Sequence, residues 1–195
     1  MTIILNSMLA RRVLSYCFAL LWFVSVAAAA EPAESGEHTS VTVDNFVRAE
    51  SDHMFRANMK AFQVRFGEFT HLREPTTPDN QPVIRKNQDP LYSGTMLDLS
   101  KPETITQPDV GGRYMSMHVI SQDHYCFVEA KPGTYTLTED SVGTRFAFVS
   151  IRTFYDAADS ADLAKAHAAQ DKIKISGGGE GPFEAPNWNT EQLAV

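Results

Sequence analysis

Cysteine is almost absent from this chain: two among 195 residues, Cys17 and Cys126. The zinc and redox patterns built on clustered thiols are thereby excluded. Basic residues are the minority, 17 Lys and Arg against 24 Asp and Glu, for a net charge of −7. Such a surface repels phosphate backbones and anionic lipid, so neither nucleic acid nor a membrane surface is expected as a partner. There is no internal repeat and no low-complexity tract. No Gly-x-Ser-x-Gly elbow occurs, which argues against serine hydrolase chemistry. The run Gly177-Gly178-Gly179 lacks the Lys-Ser/Thr of a phosphate loop and follows a helix instead of opening one, so it reads as a linker.

What is present begins at the N-terminus. Arg11 and Arg12 precede a run, Val13 to Val26, that is apolar apart from Ser15, Tyr16, Cys17 and Ser25. Ala28 and Ala30 supply the small side chains a signal peptidase requires. The reading is a signal peptide over residues 1–30, cleaved after Ala30. The competing reading is a membrane anchor, for which the run falls short of the roughly 20 residues that span a bilayer. Neither twin-arginine export nor a lipid anchor at Cys17 finds support around those residues. The mature chain is expected to be periplasmic or secreted, with no membrane attachment and one domain by length. Losing Arg11 and Arg12 takes its charge to about −9. Only Cys126 remains, and Tyr125, Phe127 and Val128 beside it predict burial on a strand.

Residues 31–40 read as a flexible leader, 41–176 as the domain and 177–195 as an extended tail. Asp44 is the expected N-cap of a helix from about Asn45 to Phe62. Phe46, Val47, Met54, Phe55, Ala57, Met59 and Phe62 form its apolar stripe, with Arg48, Glu50, Asp52, Arg56 and Lys60 opposite and His53 at the boundary. Thr70 to Asn80 reads as loop, because Pro75 and Pro78 forbid a helix. Short strands are expected at 81–85, at 91–93 and 95–99 broken by Gly94, at 104–106, 113–120, 125–130, 135–137 and 144–152. Two of them show clear period-two alternation. In the first, Met115, Met117 and Val119 are assigned to the core, opposite Tyr114, Ser116, His118 and Ile120. In the second, Phe146, Phe148, Ser150 and Arg152 oppose Arg145, Ala147, Val149 and Ile151. A second helix is expected over 156–173, capped by Asp156 or Asp159, with Leu163, Ala166, Gln170 and Ile173 inward. A short strand over 172–175 follows, then a tail packed by Phe183 and Trp188. The class is mainly β, an antiparallel sandwich with flanking α-helices at both ends.

Several blocks occur in order: Asn87-Gln88-Asp89-Pro90-Leu91-Tyr92-Ser93, Leu97-Asp98-Leu99, Pro108-Asp109, Gly112-Arg113-Tyr114, Asp123-His124-Tyr125, Gly133-Thr134-Tyr135, Val142-Gly143-Thr144-Arg145 and Pro186-Asn187-Trp188. Together they resemble the bacterial domain of unknown function 1254, from about Val41 to Trp188. The resemblance implies an immunoglobulin-like β-sandwich and brings no known reaction. It departs at Gln88-Asp89-Pro90, where the family more often shows Arg-Asp-Thr. Many members continue into a second β domain, of unknown function 1214; the resemblance therefore implies a separate chain carrying that domain as a possible partner.

The polar residues of the central block, Asn87, Asp89, Tyr92, Asp98, Arg113 and Tyr114, admit two readings. In one, Asn87, Asp89, Tyr92, Arg113 and His118 line a ligand pocket, Arg113 holding a carboxylate. Asp89, Tyr92, Arg113 and His124 are then the catalytic candidates of a hydrolase or lyase, with Asp89 as base. In the other, which is favoured, Asn87 and Asp89 satisfy turn amides and Arg113 pairs with Asp98 or Asp109. His71, His118, Asp123 and His124 are suitable metal ligands by type, but their spacing matches no metal motif. No cofactor is expected. The favoured function is a non-catalytic binding or assembly module of the cell envelope.

Overall fold

A computed structural model describes residues 38–80 and 86–193. The expected signal peptide, most of the leader and the short strand at 81–85 lie outside these residues. Among those described, no helix is long and apolar enough to cross a membrane.

The domain is mainly β, built from two antiparallel sheets. The larger has five strands in the order β1 (Thr70–Leu72), β2 (Pro90–Asp98), β7 (Phe146–Phe154), β4 (Met115–Ser121), β5 (Cys126–Glu129). The smaller has the order β6 (Gly133–Leu137), β3 (Glu103–Gln107), β8 (Lys174–Gly177). Leu97, Met115, Met117, Val119, Ala147, Val149 and Ile151 from the large sheet meet Ile105 and Leu137 from the small one in a single buried cluster. The two alternating strands therefore turn the faces toward this core that their period-two patterns predict. Helix α2 (Glu139–Val142) and helix α3 (Asp162–Gln170) close the sides, contributing Val142 and Ala169.

The other face of the large sheet is covered by helix α1 (Phe46–Phe62) and by the tail. Phe55, Val64 and Met96 form the buried centre there, with Met59, Phe62, Phe66, Ile120, Phe148 and Phe183 packed against them. The central strands β2, β7 and β4 thus carry apolar residues on both sides, which is why Met96 and Leu97 are both fully buried.

Several expectations are corrected. Helix α1 starts after Asn45, not Asp44, and the Asn45 side chain turns back to accept from the Thr42 amide at 2.7 Å. Its inward face is Ala49, Ser51, Asp52 and Phe55, whereas Phe46, Val47 and Met54 stay exposed. Asp52, expected on the polar side, is buried. It accepts from Gln122 Nε2 at 2.7 Å and from Trp188 Nε1 at 2.9 Å, so the desolvated carboxylate is satisfied and the helix can turn this face inward. Thr70 to Leu72 is an edge strand, not loop, and β2 runs unbroken through Gly94, which pairs with Ser150. Helix α3 begins at Asp162 and no Asp side chain caps it; Asp156 and Asp159 serve the turn before it. Cys126 is exposed because β5 is an edge strand with little covering it on either face. The glycine run is no linker: Gly177 ends β8, and Gly178 and Gly179 lie directly against the Glu103 and Asp98 carboxyl groups.

Candidate functional site

The register of β2, β7 and β4 sets out three rungs on the face under α1. Met96, Phe148 and Ile120 make the first; Gly94, Ser150 and His118 the second; Tyr92, Arg152 and Ser116 the third. Along the sheet the surface passes from apolar to small to cationic. The small middle rung leaves room that α1 does not fill, and a cleft of about 470 Å³ opens there. Met54, Asn58 and Phe62 form its helical wall, and Thr70 and Leu72 of the edge strand close one side. Lys86, Asn87 and His124 come in from loops.

The electrostatics of this cleft are one-sided. Lys86 Nζ lies 4.6 Å from the centre of the Tyr92 ring and 5.3 Å from that of Phe62. The Arg152 guanidinium lies 5.9 Å from the same Tyr92 ring. Aromatic faces attract cations, so Tyr92 gathers both charges to one end of the cleft. Burial lowers the Lys86 ammonium from its ordinary range. Burial also raises the Tyr92 phenol, against the opposing pull of Arg152. Burial first, then the charges of Arg152 and His124, push the His118 ring below the usual imidazole range. His124 sits in a left-handed turn conformation with its Nδ1 3.3 Å from Ser51 Oγ. Among the described residues, no Asp or Glu lines the cleft.

The structure divides the sequence candidates. Asn87, Tyr92, His118 and His124 come together in this cleft. Asn87 is also a turn residue, its Oδ1 accepting from the Asp89 amide at 3.0 Å. Asp89 is exposed and outside the lining. Arg113 lies elsewhere, beside a second, open cleft of about 940 Å³. There its Nη1 donates to Asp162 Oδ2 at 2.8 Å and its Nη2 to Asp162 Oδ1 at 2.5 Å, a bidentate pair. That corrects the expected pairing with Asp98 or Asp109. Asp98 instead accepts from Arg145 at 2.9 Å, and Asp109 accepts from the Gly111 amide. The Arg113 bond pushes the Asp162 carboxyl well below the usual carboxylate range. This pair ties the approach to β4 to α3, and Nη1 also donates to the Phe154 carbonyl at 2.6 Å, which commits the end of the guanidinium to structural contacts.

The histidines separate in the same way. His71 pairs with Ser93, which alternates with cleft-facing Gly94 and accepts from Gln170 Nε2 of α3 at 3.1 Å. Its Nδ1 is 2.8 Å from Ser93 Oγ, so His71 faces α3, across the sheet from His118. Asp123 is engaged by Arg48 at 2.6 Å. Among the described residues, no three His, Cys, Asp or Glu side chains gather as a metal would require.

Lys86, Ser150 and Arg152 belong to the site and were not among the sequence candidates. The signal was present in the alternation of 144–152, which sets Phe148, Ser150 and Arg152 on one face. Pairing that face with the His118 face of β4 locates Ser150 and Arg152; Lys86, in the loop before β2, carries no such signal.

Residues 66–177 match the family described as a protein of unknown function, DUF1254. The chain belongs to this family. The matched span holds both sheets and leaves α1 and the tail outside, so within this DUF1254 chain the helical wall of the cleft lies beyond the span that defines the family. No curated protein matches the chain. Its fold is similar to the crystal structure of the VPA0106 protein from Vibrio parahaemolyticus, with a TM-score of 0.52 at 18% identity. That likeness covers 77% of this chain and 43% of the other, so the chain spans less than half of that protein's length.

Proposed function

We propose that the chain is a binding module that holds a small molecule in the cleft between α1 and the large sheet. The observation that carries this reading is the composition of the cleft. It is a concave space of about 470 Å³ with apolar walls and a few convergent polar groups, the usual form of a small-molecule site. An enzyme acting through Asp89 and Arg113 is the weaker alternative, because those two residues stand outside this space. What favours it is that His118 and Tyr92 share the cleft, with both side chains shifted from their ordinary proton affinities.

The module is read as exported, periplasmic or secreted, on the strength of Arg11, Arg12 and the apolar run after them. A separate chain bearing the second β domain is proposed as its partner; co-purification from the envelope fraction tests this. We read the two sheets as an immunoglobulin-like sandwich, supported by the passage of the chain from one sheet to the other at β2, β3 and β4.

The cleft assignment is tested by titrating ¹⁵N-labelled protein with phenylacetate and with 2-phenylacetamide. The amides of Gly94, His118 and Ser150 are expected to shift while those of Thr104 and Thr136, on the other sheet, stay in place. Shifts confined to the Arg113–Asp162 cleft, or scattered over both sheets, contradict the assignment.

A further inference from the structure

The cleft carries a second, more specific message in its charge. Building on the assignment of this cleft as the binding site, we infer that its ligand is a small amphipathic organic anion, a carboxylate borne on an aromatic or short aliphatic body. Four observations support this. The chain as a whole is acidic, at −7, yet no carboxylate among the described residues lines the cleft. Lys86 and Arg152 both line it, and among the described residues neither forms an ion pair with Asp or Glu. Their contacts are with aromatic faces, which attract the cation but leave N–H donors free. The opposite end is apolar: Val64, Ile120 and Phe148.

The contrast with the other arginines sharpens the point. Arg48, Arg65, Arg73, Arg113 and Arg145 have carboxylate partners, and Arg56, over the Phe183 ring, donates to the Ala185 carbonyl. In an acidic protein, a cation facing a cleft without a counter-charge draws one from solution. Arg152 presents a planar fork suited to a carboxylate, and Lys86 a point charge beside it. His118, held toward its neutral form, adds one ring N–H donor without a further charge. An inorganic anion would engage only this end. A body that also fills the space under Phe148 and Ile120 removes apolar surface from water, which is the larger share of affinity for small ligands. A cationic ligand is opposed by Lys86 and Arg152 together.

Isothermal titration with four probes tests the inference: phenylacetate, the neutral 2-phenylacetamide, the cationic 2-phenylethylammonium, and inorganic phosphate. Phenylacetate is expected to bind at least about tenfold more tightly than each of the other three, the difference a charge-assisted contact makes. Arg152→Gln and Lys86→Gln are each expected to weaken phenylacetate binding more than amide binding, narrowing the gap between the two. Equal binding of phenylacetate and the amide, both shifting the cleft amides, overturns the anion inference and leaves the site assignment standing. Phosphate binding as tight as phenylacetate overturns the amphipathic part. No shift of the cleft amides with any probe overturns both.

Discussion

Asp98 and Glu103 are buried in the same corner, each against one glycine of the Gly178-Gly179 pair, and their proton affinities move in opposite directions. Hydrogen bonds from Arg145 lower Asp98 to about 2 despite its burial. Among the described residues neither Glu103 oxygen has a hydrogen-bond partner, and burial together with the charge of Asp98 raises it to about 8. The stability consequences are opposite in sign. The Asp98 contribution is complete above about pH 4 and is lost as pH falls toward 2. Folded Glu103 keeps a proton that the unfolded chain releases near pH 4.5, so stability declines as pH rises from there to about 8 and then levels. Glu103→Gln removes that decline. Urea unfolding is expected to show the variant more stable than the parent at pH 8.5, by on the order of 3 kcal/mol, with the gain nearly gone at pH 5. An unchanged pH dependence contradicts this account of Glu103. The adjoining glycine gives a second test. A methyl group at Gly179 would fall on the Asp98 carboxyl and on Ser100 Oγ. Gly179→Ala should therefore cost about 2 kcal/mol or more, while Gly143→Ala, with φ +92° and nothing within 4 Å, should cost about 1 kcal/mol. Equal costs measured by denaturation would remove the close approach as the reason for glycine at 179.

The strands of the core were legible as elements, because residues 144–152 and 113–120 alternate strictly and both faces are apolar enough to bury. Their assignment to the inner cluster follows from Met115, Met117, Val119, Ala147, Val149 and Ile151. The inward face of α1 was legible in part. Periodicity pointed to Phe55, Met59 and Phe62, which do pack inward, but also to Phe46, Val47 and Met54, which stay exposed; the helix turns Ser51 and Asp52 inward instead, and the Trp188 bond that allows this comes from 136 residues away. A window along the chain cannot see such a partner. The candidate site divided for the same reason: Lys86, Asn87 and Tyr92 are near neighbours in sequence, whereas Ser150 and Arg152 join them only through the β2–β7 register. Burial of Cys126 was misjudged from its apolar neighbours, since nothing in the sequence shows that β5 has a partner on one side only. Native protein is accordingly expected to take up one maleimide per chain at Cys126 without denaturant. Partial burial holds its thiol above the ordinary range, so the rate should rise steeply with pH. Labelling that requires urea would contradict the edge placement.

On the scale of the whole domain, one sheet serves two purposes. Its inner face closes the sandwich core, and its outer face, roofed by α1 and by the tail through Phe183, is left incompletely filled. Small residues at the middle rung, Gly94 and Ser150, keep that space open between an apolar end and a cationic end. The most direct test fills the space from both walls. Ser150→Trp places a large ring in the cleft from the sheet, and Asn58→Trp does so from the helix. With phenylacetate affinity measured by titration calorimetry alongside thermal unfolding, each variant is predicted to lose about a hundredfold in affinity or more while its Tm remains close to that of the parent. Parent-like phenylacetate affinity in both folded variants would contradict the claim that the cleft under α1 is where the protein binds its ligand.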